Sequence, residues 1–254
     1  MRYTSLVTTL SARFPGLFER KGENAVREVV ALWLLAFVAI ATTRAIGPIS
    51  QYAKAVAAVA FLYLPGVIVW RRNEDYRDYC ATLKDWPRGA KLGIGISLLV
   101  LPLFVLAFFG FVELLRNVPP QLAGVLAPYP KESSFALRLP NRFLAHVVDQ
   151  FLVVALPEEF FYRGYMQTRL KDVWAAGPQR FGITMGRAFW LTQVLFALGH
   201  LAEPYPWRLG VFFPSIVFGI LREKSGTILP STLFHALSNL TVLVLEASFF
   251  GPRG

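Results

Sequence analysis

The stretch "LGIGISLLVLPLFVLAFFGFV", residues 92–112, runs for 21 positions without a charged side chain. A helix of this length spans ~30 Å of hydrocarbon at ~1.5 Å per residue. The whole chain is similarly apolar, with 55% hydrophobic residues, 22 Phe and a mean hydropathy of +0.47. These values exceed those of ordinary soluble domains, so the sequence predicts an all-α integral membrane protein.

Six further apolar segments occur along the chain. They lie near residues 28–46, 53–70, 143–170, 187–203, 209–221 and 228–250. The loop 71–91 is polar and basic, whereas the loop 117–142 is rich in proline and cannot form one continuous helix. We therefore predict a polytopic transmembrane helical bundle with seven or eight spans.

The distribution of charge predicts on which side of the membrane the N-terminus lies and argues against nucleic acid as a partner. The net charge is +10, but the basic residues lie in loops and form no stripe or patch of the kind that binds nucleic acid. Lys and Arg are more numerous in the N-terminal stretch and in the loops after the second, fourth and sixth segments, which predicts an N-terminus inside the cell. The one cysteine, Cys80, excludes an internal disulfide.

The fourth apolar segment contains "ALPEEFFYRGY", residues 155–165, with two adjacent glutamates and an arginine. Ionisable side chains inside a bilayer are costly unless they are paired, so they indicate function. Glu159 and Arg163 are four residues apart, which predicts that they share a helix face and form an ion pair. Glu158 is turned by about 100° from Glu159 and is expected to have a different role.

Two later segments carry further pairs of residues at the same spacing, each with at least one polar member. "FALGH" contains Phe196 and His200, and "HALSN" contains His235 and Asn239. If the fourth helix continues to about residue 171, then Glu158, His200 and His235 all lie ~16–20 Å from one membrane face at ~1.5 Å per residue. The sequence therefore predicts that three helices bring carboxylates, imidazoles and a carboxamide into one layer around a cavity.

The order and spacing of these motifs resemble the CAAX protease and bacteriocin-processing family of intramembrane endopeptidases, known as CPBP or ABI. Supporting stretches are "RGYMQTRL" and "GILREKSGTILPSTLFHALSN", and the resemblance covers roughly residues 143–245. The motif positions are Glu158-Glu159-x-x-x-Arg163, Phe196-x-x-x-His200 and His235-x-x-x-Asn239. The resemblance implies cleavage of a peptide bond within the membrane.

Amide hydrolysis needs an activated water, stabilisation of the oxyanion and a proton for the leaving amine. The resemblance implies Glu158 as the base and His200 as a second residue that binds the water. His235 and Asn239 would donate hydrogen bonds to the oxyanion. The pair of Glu159 and the arginine four residues later would orient the site.

A metal-dependent alternative uses the same side chains. Glu159, His200 and His235 would form a His₂Glu zinc site, with Glu158 as the base. On the resemblance we favour a mechanism with no cofactor and no metal, and zinc remains the alternative.

Other classes of function are open at this stage. Buried ionisable residues also occur in proton-coupled transporters, but the sequence contains no inverted repeat. A non-catalytic scaffold or immunity protein is disfavoured because every motif position is filled. For His146, Asp149 and Gln150, interhelical hydrogen bonding is the preferred interpretation.

The predicted organisation is a cytoplasmic N-terminal segment over 1–27, accessory transmembrane helices and loops over 28–142, and a catalytic core over 143–250. The expected partners are the lipid bilayer and a membrane-anchored protein or peptide substrate, with no nucleic acid. Relatives cut prenylated CaaX tails, peptide leaders or C-terminal sorting tails, and the last would make this a myxosortase-like enzyme. The length of 254 residues and the basic loops suit a multi-pass enzyme of the bacterial cytoplasmic membrane.

Overall fold

A computed structural model of the chain describes residues 24–119, 122, 129, 133–174, 177–180 and 182–251. Most of the predicted N-terminal segment, residues 1–23, therefore lies outside the described residues. The described helices are α1 Asn24–Ala45, α2 Ala53–Arg71, α3 Trp86–Asn117, α4 Phe143–Val173, α5 Arg187–Gly199, α6 Phe212–Ser225 and α7 Leu229–Phe250.

Short elements connect these helices. The 3₁₀ turns are Gly47–Tyr52, Tyr76–Tyr79, His200–Ala202 and Pro206–Val211. Between α4 and α5, strand β1 (Gln179–Arg180) pairs antiparallel with β2 (Ile183–Thr184), with Gln179 opposite Thr184.

Each predicted apolar segment corresponds to one helix, and the all-α membrane class is confirmed. Among the described residues, four helical segments are long and apolar enough to cross a membrane: Asn24–Ala45, Gly47–Arg71, Trp86–Asn117 and Leu229–Phe250. Helices α5 and α6 have 13 and 14 residues, fewer than the ~20 that one span needs. The total of seven or eight spans therefore stays a prediction.

Helix α4 is continuous from Phe143 to Val173, which extends past residue 171 as the depth estimate requires. Two of its segments, Asp149–Ala155 and Phe160–Met166, are π-helical. Between them lies one α-helical turn, Leu156–Glu159, that contains Pro157. Proline lacks an N–H and its ring conflicts with the carbonyl one turn earlier, so the neighbouring hydrogen bonds shift to the wider i→i+5 pattern. Hydrophobic periodicity does not predict this feature.

The core of the protein surrounds the second π-helical segment. All seven residues of Phe160–Met166 are buried, and aromatic side chains of other helices pack against them. Helix α7 runs beside α3 closely enough that a Cβ on Gly93 would lie 2.9 Å from the carbonyl oxygen of Pro230. Helices α5 and α6 contact the segment Phe160–Met166, and α7 contacts the turn Leu156–Glu159 that carries the paired glutamates.

Candidate active site

Glu159 lies at the centre of the predicted motif residues. Arg163 Nη1 donates to Glu159 Oε1 over 3.0 Å, and His235 Nδ1 lies 2.9 Å from the same oxygen. The side chains of Glu159 and Arg163 are both 0% exposed. The ion pair predicted from the i,i+4 spacing is therefore present. Its additional bond to His235, from α7, was not predicted.

The Glu159 bond fixes how His235 presents its ring. A carboxylate only accepts hydrogen bonds, so Nδ1 of His235 carries a proton and Nε2 is left for other contacts. His235 Nε2 lies 3.9 Å from Glu158 Oε2. The imidazole thus stands between the two adjacent glutamates, with one nitrogen towards each.

Glu158 differs from its neighbour in its surroundings. Its side chain is 16% exposed, whereas that of Glu159 is completely buried. Within the described part of the chain, the buried Glu158 Oε2 accepts no hydrogen bond. Buried polar atoms usually have partners, so an open carboxylate oxygen beside an imidazole nitrogen is suited to holding a water or a substrate group.

Arg163 is held by two residues that the sequence analysis missed. Its Nη2 donates to Gln193 Oε1 over 3.1 Å, to Ser215 Oγ over 2.9 Å and to the Ser215 carbonyl over 3.2 Å. The guanidinium carbon also lies 4.2 Å from the ring centroid of Phe196 and 4.9 Å from that of Phe218. Arg163 is therefore fixed by polar contacts at its edge and by aromatic rings at its faces.

Gln193 is itself closely packed. Its Nε2 donates to the Phe189 carbonyl over 3.0 Å, and a Cβ on Gly219 would lie 2.7 Å from that nitrogen. Gly219 lets α6 approach α5 at this point. Gln193 lies seven residues before His200, and two helical turns place both on one face. That spacing is the sequence signal that would have identified Gln193, whereas Ser215 has none.

His200 follows α5 directly, at the start of a 3₁₀ turn. Its Nδ1 lies 2.9 Å from the Phe196 carbonyl, which only accepts, so Nδ1 carries the proton and Nε2 remains for a further contact. The Phe196 ring lies 4.7 Å from the His200 ring and 6.0 Å from the His235 ring, between centroids. The two imidazoles therefore adjoin one aromatic side chain. That His200 shares a water with Glu158 stays a prediction.

Asn239 lies one helical turn after His235 on α7. Its Nδ2 donates to Gln150 Oε1 on α4 over 2.9 Å. The adjacent Asp149 Oδ2 accepts from Lys54 Nζ on α2 over 2.7 Å. Asp149 and Gln150 therefore each form an interhelical hydrogen bond, as the sequence predicts.

The residues named for a zinc site do not fit one in this arrangement. Across the ranges that the structure describes, no group of three or more His, Cys, Asp or Glu side chains could hold a metal ion. Glu159 Oε1 is occupied by Arg163 and by His235 Nδ1, so within the described residues only Oε2 of this carboxylate is open. The buried guanidinium would also repel a dication at that oxygen. His200 and His235 would have to move before both could bind one ion with Glu159.

An apolar pocket of about 510 Å³ lies elsewhere on α4. Its α4 residues are Leu156 and Phe160, and α2 contributes Leu62, Gly66 and Trp70. None of the motif residues lines it. The pocket is therefore separate from the polar site, and the cavity predicted around Glu158 stays a prediction.

One protein-family model matches the part of the chain that carries the site. Residues 140–241 match a family model described as Type II CAAX prenyl endopeptidase Rce1-like. No curated protein and no solved structure gives a match to the chain. All the motif residues, and also Gln150, Gln193, Ser215 and Gly219, lie within the matched region.

Proposed function

Because residues 140–241 belong to the CPBP-type family, whose members are intramembrane endopeptidases, we propose a specific activity for this protein. It hydrolyses a peptide bond near the membrane-embedded or C-terminal tail of a protein or lipidated peptide. The observation that carries the proposal is the pair formed by Glu158 Oε2 and His235 Nε2, 3.9 Å apart. One water could contact both atoms.

In the proposed reaction, Glu158 takes a proton from this water while the water oxygen attacks the scissile carbonyl carbon. The carbonyl oxygen becomes an oxyanion, which Asn239 and His235 stabilise by donating hydrogen bonds. His235 Nε2 donates when the ring carries a proton on each nitrogen. Glu158 then gives its proton to the leaving amine, so that water is consumed and no proton is gained or lost. His200 would bind the water or the tetrahedral intermediate.

We propose that no metal is needed, since the buried ion pair of Glu159 and Arg163 leaves that carboxylate poorly suited to bind zinc. The alternative is a zinc enzyme in which Glu159, His200 and His235 rearrange around the ion. One zinc per active chain, with activity lost on stripping and restored by zinc, would favour the alternative.

The proposed location is a bacterial cytoplasmic membrane with the N-terminus inside. The excess of Lys and Arg in the corresponding loops supports this orientation. Candidate substrates are CaaX-type tails, peptide leaders and C-terminal sorting tails, of which the last would be a myxosortase-like role. Mass spectrometry of membrane-protein C-termini, with and without the protein, would identify the substrate class.

The direct test uses purified protein in one detergent and compares Glu158→Gln, Glu159→Gln and Arg163→Ala for turnover and thermal stability. Glu158→Gln keeps the shape of the side chain, and we expect turnover to fall about 10²- to 10⁴-fold while the fold is retained. Arg163→Ala leaves Glu159 without its buried cation, and we expect a loss of about 3–5 kcal/mol in stability together with activity.

Near-normal turnover of Glu158→Gln would show that Glu158 is not the base. A wild-type protein that cleaves nothing but moves protons across vesicles would instead indicate a transporter, and one that does neither would indicate a scaffold.

A further inference from the structure

The contact between Gln150 and Asn239 forms a second polar link between α4 and α7. The first is the bond between Glu159 and His235. Gln150 precedes Glu159 along α4 but its partner Asn239 follows His235 along α7, so the two helices run antiparallel there. Gln150 is 7% exposed and lies in the π-helical segment Asp149–Ala155. It therefore meets Asn239 inside the protein, one turn of α7 away from His235.

We propose that Gln150 is a positioning residue, whose side-chain carbonyl fixes the amide of Asn239 for oxyanion stabilisation. The proposal rests on the proteolytic function given above. Gln150 Oε1 accepts one of the two N–H groups of Asn239 Nδ2 over 2.9 Å. Within the described residues the second N–H of Nδ2 has no acceptor, so it is open to the substrate oxygen.

The chemistry of the two amides explains the need for such a residue. The side-chain amide of asparagine has a donor end and an acceptor end of nearly equal size. While Gln150 keeps Oε1 towards α7, a rotation of the Asn239 amide by about 180° would place its carbonyl oxygen against Gln150 Oε1, and two acceptors would then face each other. The same rotation would direct an acceptor towards the substrate oxygen. By accepting from Nδ2, Gln150 favours the orientation that keeps a donor in the site.

Matched variants at one position separate positioning from packing. Gln150→Met has a similar length and no acceptor oxygen, whereas Gln150→Glu keeps a carboxyl oxygen that can accept. We expect Gln150→Met to lower kcat about 10- to 100-fold with little change in KM, because one oxyanion donor is misplaced. Gln150→Glu should recover most of this loss. Asp149→Asn, one residue away and directed towards Lys54, is the control and should retain wild-type turnover.

A double-mutant cycle provides the readout that a purely structural role would not produce. Asn239→Ala is expected to lower kcat about 10²- to 10³-fold. If Gln150 acts through Asn239, adding Gln150→Met to Asn239→Ala should change kcat by less than about twofold. The measurements are kcat and KM of each purified variant with one membrane-anchored peptide, and thermal stability in the same detergent.

An unchanged kcat in Gln150→Met would overturn the proposal while leaving the proteolytic function intact. A further tenfold loss when both changes are combined would also overturn it, because Gln150 would then act independently of Asn239. Equal loss in Gln150→Met, Gln150→Glu and Asp149→Asn, together with lowered thermal stability, would show that this turn is needed only for folding. A wild-type protein without protease activity would contradict the proposed function instead.

Discussion

Helix α4 contributes residues to two buried clusters, whose carboxylates differ in how many hydrogen bonds they accept. In the Glu28 cluster, formed by Glu28, Arg72, Tyr165 and Arg169, both oxygens of Glu28 accept hydrogen bonds. Arg72 Nη2 donates to Oε2 over 2.5 Å, while Oε1 accepts from Arg72 Nη1 over 3.2 Å, from Arg169 Nε over 3.1 Å and from Tyr165 Oη. Glu28 therefore joins α1, α2 and α4 and has no oxygen free for a ligand.

In the site cluster, formed by Glu158, Glu159, Arg163 and His235, the carboxylates are only partly satisfied. Considering the described residues, neither Glu158 Oε2 nor Glu159 Oε2 accepts a hydrogen bond. A buried acceptor without a partner costs free energy, which folding offsets elsewhere. The comparison indicates that burial of charge does not by itself identify a catalytic group. The open oxygen next to a second titratable side chain is the distinguishing feature.

The largest effect that separates the two clusters is expected from Glu28→Gln. The change removes the charge that Arg72 and Arg169 share, and breaking a buried ion pair costs about 3–5 kcal/mol. Turnover per folded molecule should stay close to that of wild type, since Glu28 does not contact the site. Thermal unfolding and active-site-normalised kcat would be measured together. A variant with normal stability and lost turnover would remove the distinction between the clusters.

A smaller effect is expected from Gly219→Ala, which tests the packing behind Arg163. The new Cβ would lie 2.6 Å from a Phe189 ring carbon and 2.7 Å from Gln193 Nε2. Overpacking of this kind lowers the free energy of unfolding by about 1–3 kcal/mol. The new methyl group should also displace Gln193 from Arg163 and so reduce turnover. Gly95→Ala on α3 is the matched control, because a Cβ there meets nothing within 4 Å. Equal results for the two variants would show that the α5–α6 contact does not support the site.

The smallest effect is expected at Glu223, an acidic residue outside both clusters, near the end of α6. Burial raises the pKa of its carboxyl group, but the charge of Arg222 and the hydrogen bond from Lys171 lower it more, so the net pKa is lowered. Because the pKa of Glu223 is lower in the folded than in the unfolded protein, its charged form stabilises the fold. This stabilisation is present above the unfolded pKa of about 4.3 and is lost as the pH falls through the folded pKa.

Glu223→Gln turns charge-assisted hydrogen bonds into neutral ones and should therefore cost about 1 kcal/mol at pH 7, with the difference from wild type shrinking at pH 4 and below. The free energy of unfolding of wild type and variant, measured in one detergent at both pH values, checks this. A larger difference between the two proteins at pH 4 than at pH 7 would contradict the predicted pH dependence.

The sequence predicted the charged part of the site because ionisable residues are conspicuous in apolar helices. It also predicted the pair of Glu159 with Arg163, since the i,i+4 rule needs only local spacing. It did not predict Ser215, because an uncharged polar residue in a membrane helix carries no such signal. The Glu28 cluster was also missed: its members are far apart in sequence, and their meeting depends on how α1, α2 and α4 pack.

The π-helical segment Phe160–Met166 contains Arg163 of the site cluster and Tyr165 of the Glu28 cluster, and this has a consequence for insertions and deletions. One turn of π-helix contains about one residue more than one turn of α-helix. Deleting one residue there would convert the wide turn into an ordinary α turn and leave Arg169 close to its present orientation relative to Glu159. Inserting one further residue would instead rotate Arg169 by about 100° relative to Glu159. One end of the helix would then lose its contacts, whichever end stayed in place. We expect such an insertion to be far more harmful than one in the loop between β1 and β2.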